Sequence, residues 1–179
     1  SITYDGAGYA LYQSWFEPGS SISSYYLNFA TRSAGSGWGM AYVVAAVYSL
    51  LGRNSLAVQM LNCVLGAATV YLTYTCASNI FNNRRTARLA GILVGLFPSL
   101  VLWSSQGLKD GIICFLLVMS MNIAFSLQKR LNYAYIAVLL LALGGIYALR
   151  FYIFFAFAVS IFGSFFLSTQ KSASSIGKQ

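Results

Sequence analysis

Long uncharged stretches separated by short polar breaks dominate this chain. Asn54 to Asn83 carries no charge, and neither do Leu89 to Leu108, Gly111 to Gln128, Leu131 to Leu149 or Phe151 to Gln170. A hydrocarbon core of roughly 30 Å takes about 20 apolar residues in a helix, so these stretches read as five candidate spans. A membrane-spanning strand would alternate polar and apolar residues over about 10 positions, and no such alternation occurs. Backbone groups in lipid must be satisfied within their own segment, which leaves helices. The predicted spans run from about Ser55 to Ile80, Ala87 to Ser104, Gly111 to Leu127, Asn132 to Leu149 and Phe151 to Ser168. The fold class is therefore all-α: a polytopic transmembrane helix bundle with an outer juxtamembrane helical segment.

Three regions follow. Residues 1–54 form an outer-face loop with juxtamembrane or interfacial helices, 55–168 the bundle, and 169–179 a polar tail or loop rich in Ser and Lys. Within the first region, Trp38 to Leu51 is apolar but short for a span. Trp38, Tyr42 and Tyr48 suit an interfacial position, so this stretch reads as a helix lying in the outer leaflet. If it crossed instead, Asp5 and Asp110 would lie on opposite sides. Pro18-Gly19-Ser20-Ser21 and Ser33-Ala34-Gly35-Ser36-Gly37 read as loops. Pro98, inside a predicted span, should kink it and could open a cavity. The chain begins at Ser1 without a signal-peptide pattern and reads as an internal piece of a longer membrane protein.

Charge gives the orientation. The chain is 58% hydrophobic and 8% charged, with 11 Lys/Arg, 3 Asp/Glu, no His and a net charge of +8, which excludes an ordinary soluble domain. Short cytoplasmic loops carry excess Lys and Arg. Placing Arg84, Arg85, Arg88, Lys129, Arg130, Lys171 and Lys178 inside leaves Arg32, Arg53, Lys109 and Arg150 outside, together with all three acids, Asp5, Glu17 and Asp110. The basic excess is thus an orientation signal; no basic stripe interleaved with aromatics points to nucleic acid. Cys63, Cys76 and Cys114 fall in predicted spans at spacings that match no metal motif, and read as buried thiols. No metal site or cofactor is predicted, although two converging carboxylates could bind a divalent ion. The absence of His rules out a His-containing triad in this chain, and no Walker loop or dinucleotide fingerprint occurs.

The outer charges are the candidate chemistry. Asp5, in Tyr4-Asp5-Gly6-Ala7-Gly8-Tyr9, could accept a proton from a hydroxyl or amine; from position alone, helix capping is the favoured reading. Asp110 opens a predicted span in Ser104-Ser105-Gln106-Gly107-Leu108-Lys109-Asp110-Gly111. There Lys109 could bind a phosphate and Asp110 position a donor, against a plain reading of capping and snorkelling. Arg150 is the lone charge between Leu131 and Thr169; it suits bidentate phosphate binding or simple anchoring at the interface. Glu17 and Arg32 could pair with each other.

The ordered series resembles the membrane glycosyltransferases of the GT-C fold that use polyprenyl- or dolichyl-phosphate-linked sugars, such as the protein mannosyltransferases and the aminoarabinose transferase of lipid A. It comprises an early Asp in Tyr4-Asp5-Gly6, a juxtamembrane helix ending in Leu50-Leu51-Gly52-Arg53-Asn54, and a span centred on Leu61-Asn62-Cys63-Val64-Leu65-Gly66-Ala67-Ala68. The basic loop Asn82-Asn83-Arg84-Arg85, a span with Leu96-Phe97-Pro98-Ser99-Leu100, and Leu108-Lys109-Asp110 complete it. The resemblance covers roughly Asp5 to Phe125. It implies an enzyme active at the outer or lumenal face of an integral membrane protein. Asp5 would be the catalytic base, Asp110 a second active-site acid, and Lys109 and Arg150 contacts to the lipid phosphate. The implied partners are a polyprenyl-phosphate sugar donor, a lipid, glycan or protein acceptor, and membrane lipid, with no nucleic acid. The His-Pro-Pro motif of protein mannosyltransferases is absent, with Ser36-Gly37-Trp38-Gly39 near its place, and Gly6 follows Asp5 where an acid pair would stand. Those departures point away from protein mannosyl transfer in particular. The alternatives are a non-catalytic transporter and a polysaccharide-export or assembly subunit. A transporter would place its charges nearer the bilayer midplane.

Overall fold

The computed structural model describes residues 2–16, 28, 38–129, 132–161 and 163. The proposed Glu17–Arg32 pair, both early loops and the polar tail lie outside these residues. All regular structure among them is helical. The helices are α1 (Ile2–Phe16), α2 (Trp38–Leu51), α3 (Ser55–Phe81), α4 (Arg84–Gly95), α5 (Pro98–Ser105), α6 (Lys109–Lys129), α7 (Tyr133–Leu149) and α8 (Phe151–Ile161).

Local chemistry sets the boundaries. Asn54 caps α3 by accepting the Leu56 N–H at 3.0 Å. At the far end, Asn82 adopts the left-handed conformation (φ 50°) that Asn tolerates, and Asn83 caps α4 by accepting the Arg85 N–H at 2.9 Å. Two asparagines thus reverse the chain. Asn132 caps α7 in the same way, from Ala134 N–H at 3.0 Å. Pro98 sits in the first turn of α5, where its missing N–H breaks nothing. It ends α4 three residues earlier, and the pair is bent by 53°.

Helix α3 is the centre of the bundle and packs on α4, α5 and α6. It runs parallel to α6: Asn62 bonds to the Leu108 carbonyl at 2.8 Å, while Asn122 bonds to the Leu72 carbonyl at 2.9 Å. The α4–α5 pair returns along α3, and α7 returns along α6, which Gly145 meets at Leu116. Among the described residues two helices, α3 and α6, are long and apolar enough to cross a bilayer, or three spans if the bent α4–α5 pair is one. Helices α7 and α8 are apolar but shorter. Large side chains on the outside, such as Met60, Val64, Ile92, Leu93 and Leu141, are more than half exposed. On a soluble surface this would be an aggregation hazard; here it is the lipid-facing side of an integral membrane protein. Cys63 is exposed rather than buried, while Cys76 is buried as expected.

Helix α2 lies across one end of this bundle. Its Met40, Val44 and Tyr48 share an apolar cluster with Val58 of the first turn of α3, Ile112 and Ile113 of the first turns of α6, and Leu149 at the end of α7. Its other end touches α7 too: a Cβ on Gly39 would stand 2.9 Å from the Ala148 carbonyl oxygen. Helix α1 packs antiparallel on α2. Gly8 permits the approach, because a Cβ there would come within 2.4 Å of Val44. Arg84, Arg85 and Arg88 stand at the opposite end, around the α3–α4 turn.

Candidate functional site

The cap that ends α2 builds the first half of the site. Gly52 adopts φ 72° and donates its N–H to the Tyr48 carbonyl at 3.0 Å, closing the helix. Arg53 then emerges beside α1. Its guanidinium lies 3.6 Å from the Asp5 carboxylate and stacks over the Tyr9 ring at 4.2 Å. From the other side, the Tyr48 hydroxyl donates to the second Asp5 oxygen. Asp5 sits within the first turn of α1, where the helix dipole favours negative charge. A cavity of about 190 Å³ opens at this carboxylate, lined by Tyr4, Asp5, Val44, Tyr48, Ser55, Val58, Gln59 and Gly107. It has room for several waters or for one small polar group to meet Asp5.

Tyr48 is only 1% exposed. Burial pushes its phenol up from the usual range, with further upward contributions from the hydrogen bond to Asp5 and from the Asp5 charge, partly opposed by Arg53. It therefore remains a proton donor to Asp5 throughout the working pH range. A raised folded-state value means the stabilisation is fully present below about pH 10, the unfolded phenol value, and is lost as pH climbs beyond it. The melting temperature of wild type is thus expected to fall more steeply above pH 10 than that of Tyr48→Phe. Equal slopes for the two proteins would show that the phenol does not carry this linkage.

The second half of the site is the start of α6. Asp110 pairs with Arg150 at 2.6 Å, and both side chains are about three-quarters buried. Arg150 stands between α7 and α8 and also donates to the Tyr152 hydroxyl at 2.7 Å. Lys109 turns the other way, its ammonium 5.8 Å from the Tyr4 ring centroid. Tyr4 is the neighbour of Asp5, and Gly107 lines the Asp5 cavity, so the two halves adjoin. The structure thus brings Asp5, Lys109, Asp110 and Arg150 to one end of the bundle. It divides them into an Asp5–Arg53–Tyr48 group and an Asp110–Arg150 pair, with Lys109 between. Among the described residues no three His, Cys, Asp or Glu side chains gather; each carboxylate faces a guanidinium instead.

Sequence reasoning missed Tyr48, which it read as an interfacial aromatic, and Arg53, which it read only as an outer charge. The signal for Arg53 was its place directly after a helix-ending glycine. Nothing local marked Tyr48, since its partner is 43 residues away.

Residues 37–179 match the family model of the dolichyl-phosphate-mannose-protein mannosyltransferases. The chain belongs to this family. It is an integral-membrane glycosyltransferase, of a family that takes dolichyl-phosphate sugar donors, which sets aside the transporter and export-subunit alternatives. Lys109, Asp110 and Arg150 lie inside the matched residues; Asp5 and α1 precede them. No curated protein and no solved structure matches.

Proposed function

We propose that the Asp5 end of the bundle is the place of sugar transfer and faces the outer or lumenal side of the membrane. The observation that carries this reading is the gathering of both described carboxylates, Asp5 and Asp110, with Arg53, Lys109 and Arg150 at one end of the bundle, the end where a cavity opens on Asp5. Helix α2, lying across that end, would rest in the outer leaflet. The opposite end, with Arg84, Arg85 and Arg88, would face the cytoplasm.

The lipid-linked sugar would enter sideways from the bilayer. Lys109 and Arg150 would meet its phosphate, and Asp110 would hold Arg150 in place. An acceptor hydroxyl would give its proton to Asp5 as its oxygen attacks the anomeric carbon. The bond from that carbon to the phosphate oxygen would break, and the polyprenyl phosphate would leave with the electron pair, its charge met by the two cations. A single displacement inverts the anomeric carbon. The acceptor class is a lipid, glycan or protein.

The test is transfer from labelled dolichyl- or polyprenyl-phosphate sugars by the complete protein in nanodiscs, with each acceptor class in turn. Donor consumption with an inverted product supports the reading. Intact donor with every acceptor class, from a folded protein that binds the lipid, would overturn it.

A further inference from the structure

We infer that Asn62, buried in α3, is a positioning residue for sugar transfer: its amide holds the segment that delivers Lys109 and Asp110 to the site. Between α5 and α6 the backbone is irregular at Gln106 to Leu108. The last carbonyls of α5 have no partner inside it, and the Gln106 and Leu108 carbonyls stand in the irregular link that follows; buried backbone groups of this kind take donors from elsewhere. One face of α3 supplies them. The Asn62 amide donates to the Leu108 carbonyl at 2.8 Å and reaches the Gln106 carbonyl at 3.5 Å. One residue on, the Cys63 thiol donates to the Ser104 carbonyl at 3.6 Å. Gly66 lets this segment close in, since a Cβ there would stand 2.5 Å from the Ser104 hydroxyl oxygen.

Asn62 is 1% exposed, and its carbonyl oxygen has no partner among the described residues. An unpaired buried acceptor is unfavourable. A leucine shares the branched shape and carries no polar atom to leave unpaired, so the choice of amide is explained by its donor end. Leu108, the residue it grips, directly precedes Lys109 and Asp110. Asn62 touches neither substrate nor cavity and acts through those two side chains. The inference rests on the roles proposed for them.

The experiment compares wild type, Asn62→Leu and Asn122→Leu in the complete protein in nanodiscs. Asn122 is a control of the same kind: its amide donates to the Leu72 and Val118 carbonyls at 2.9 and 3.0 Å, deeper in the bundle. For Asn62→Leu, kcat should fall about tenfold and KM for the lipid donor should rise several-fold, the size expected from loss of a buried hydrogen bond. KM for the acceptor should not move. Amide hydrogen exchange should quicken at residues 107–111 and stay unchanged in α7. Asn122→Leu should lower the melting temperature without moving donor KM. Wild-type exchange at 107–111 in Asn62→Leu overturns the inference, as does a donor KM that shifts equally in both variants. Exchange is read without substrate, so a wild type that transfers no sugar would sink the proposed function while the clamp is still judged.

Discussion

Asp5→Asn in the complete protein is expected to lower sugar transfer by roughly 10²- to 10⁴-fold, the usual contribution of a positioned general base. The substitution is nearly isosteric. An amide oxygen can still accept the Tyr48 hydroxyl, so this contact between α1 and α2 keeps its form. What disappears is the negative charge and the site that takes the proton. The ion pair with Arg53 is also lost, but at 3.6 Å and with Arg53 half exposed it is worth at most about 1 kcal/mol. Folding should therefore survive, and melting in detergent should show only a small decrease. Donor binding should be close to wild type, because the contacts proposed for the phosphate are Lys109 and Arg150, which this substitution leaves in place. Asp5→Glu, with the carboxylate moved by one methylene, should retain part of the rate. Wild-type transfer by a folded Asp5→Asn would remove Asp5 as the base. The family match begins at residue 37, so it does not cover Asp5, and this variant is the direct test of the role proposed for it.

The parts of this molecule legible in the sequence are those fixed by short-range rules. Uncharged runs marked α3 and α6 because a bilayer demands length and apolarity before any packing is considered. Pro98 marked the bend because a proline has no N–H to give the preceding turn, and the 53° angle falls there. Asp110 was singled out as a candidate because a charge beside a long apolar run is conspicuous. The illegible parts depend on which surfaces meet. Tyr48 looked like an aromatic at an interface, yet Gly8 lets α1 settle on α2, and that contact buries the phenol against Asp5. Arg150 was seen as a charge but not as the partner of Asp110, because only the return of α7 along α6 brings the two together. Asn62 was invisible for a related reason. One amide in an apolar span has no local meaning until the carbonyls of Gln106 and Leu108 arrive beside it.

The Asp110–Arg150 pair separates holding from chemistry, and here the expected effect on transfer is also large. Arg150→Leu leaves Asp110 three-quarters buried without its cation. Loss of one partner of such a pair should destabilise the fold by about 1–3 kcal/mol, less than for a fully buried pair because water still reaches the site. If Arg150 also stabilises the departing phosphate, transfer should drop by roughly 10²–10³-fold, as for removal of one preorganised charge-stabilising donor. The exchanged variant Asp110→Arg with Arg150→Asp distinguishes the two roles. It restores an ion pair between the same helices, so thermal stability should recover substantially. The cation then stands on α6 rather than between α7 and α8, where the guanidinium is braced by Tyr152 at 2.7 Å. Transfer should remain low, with KM for the lipid donor raised and KM for the acceptor unchanged. Recovery of stability and rate together would mean that the pair only holds α6 against α7, leaving Lys109 to meet the phosphate alone.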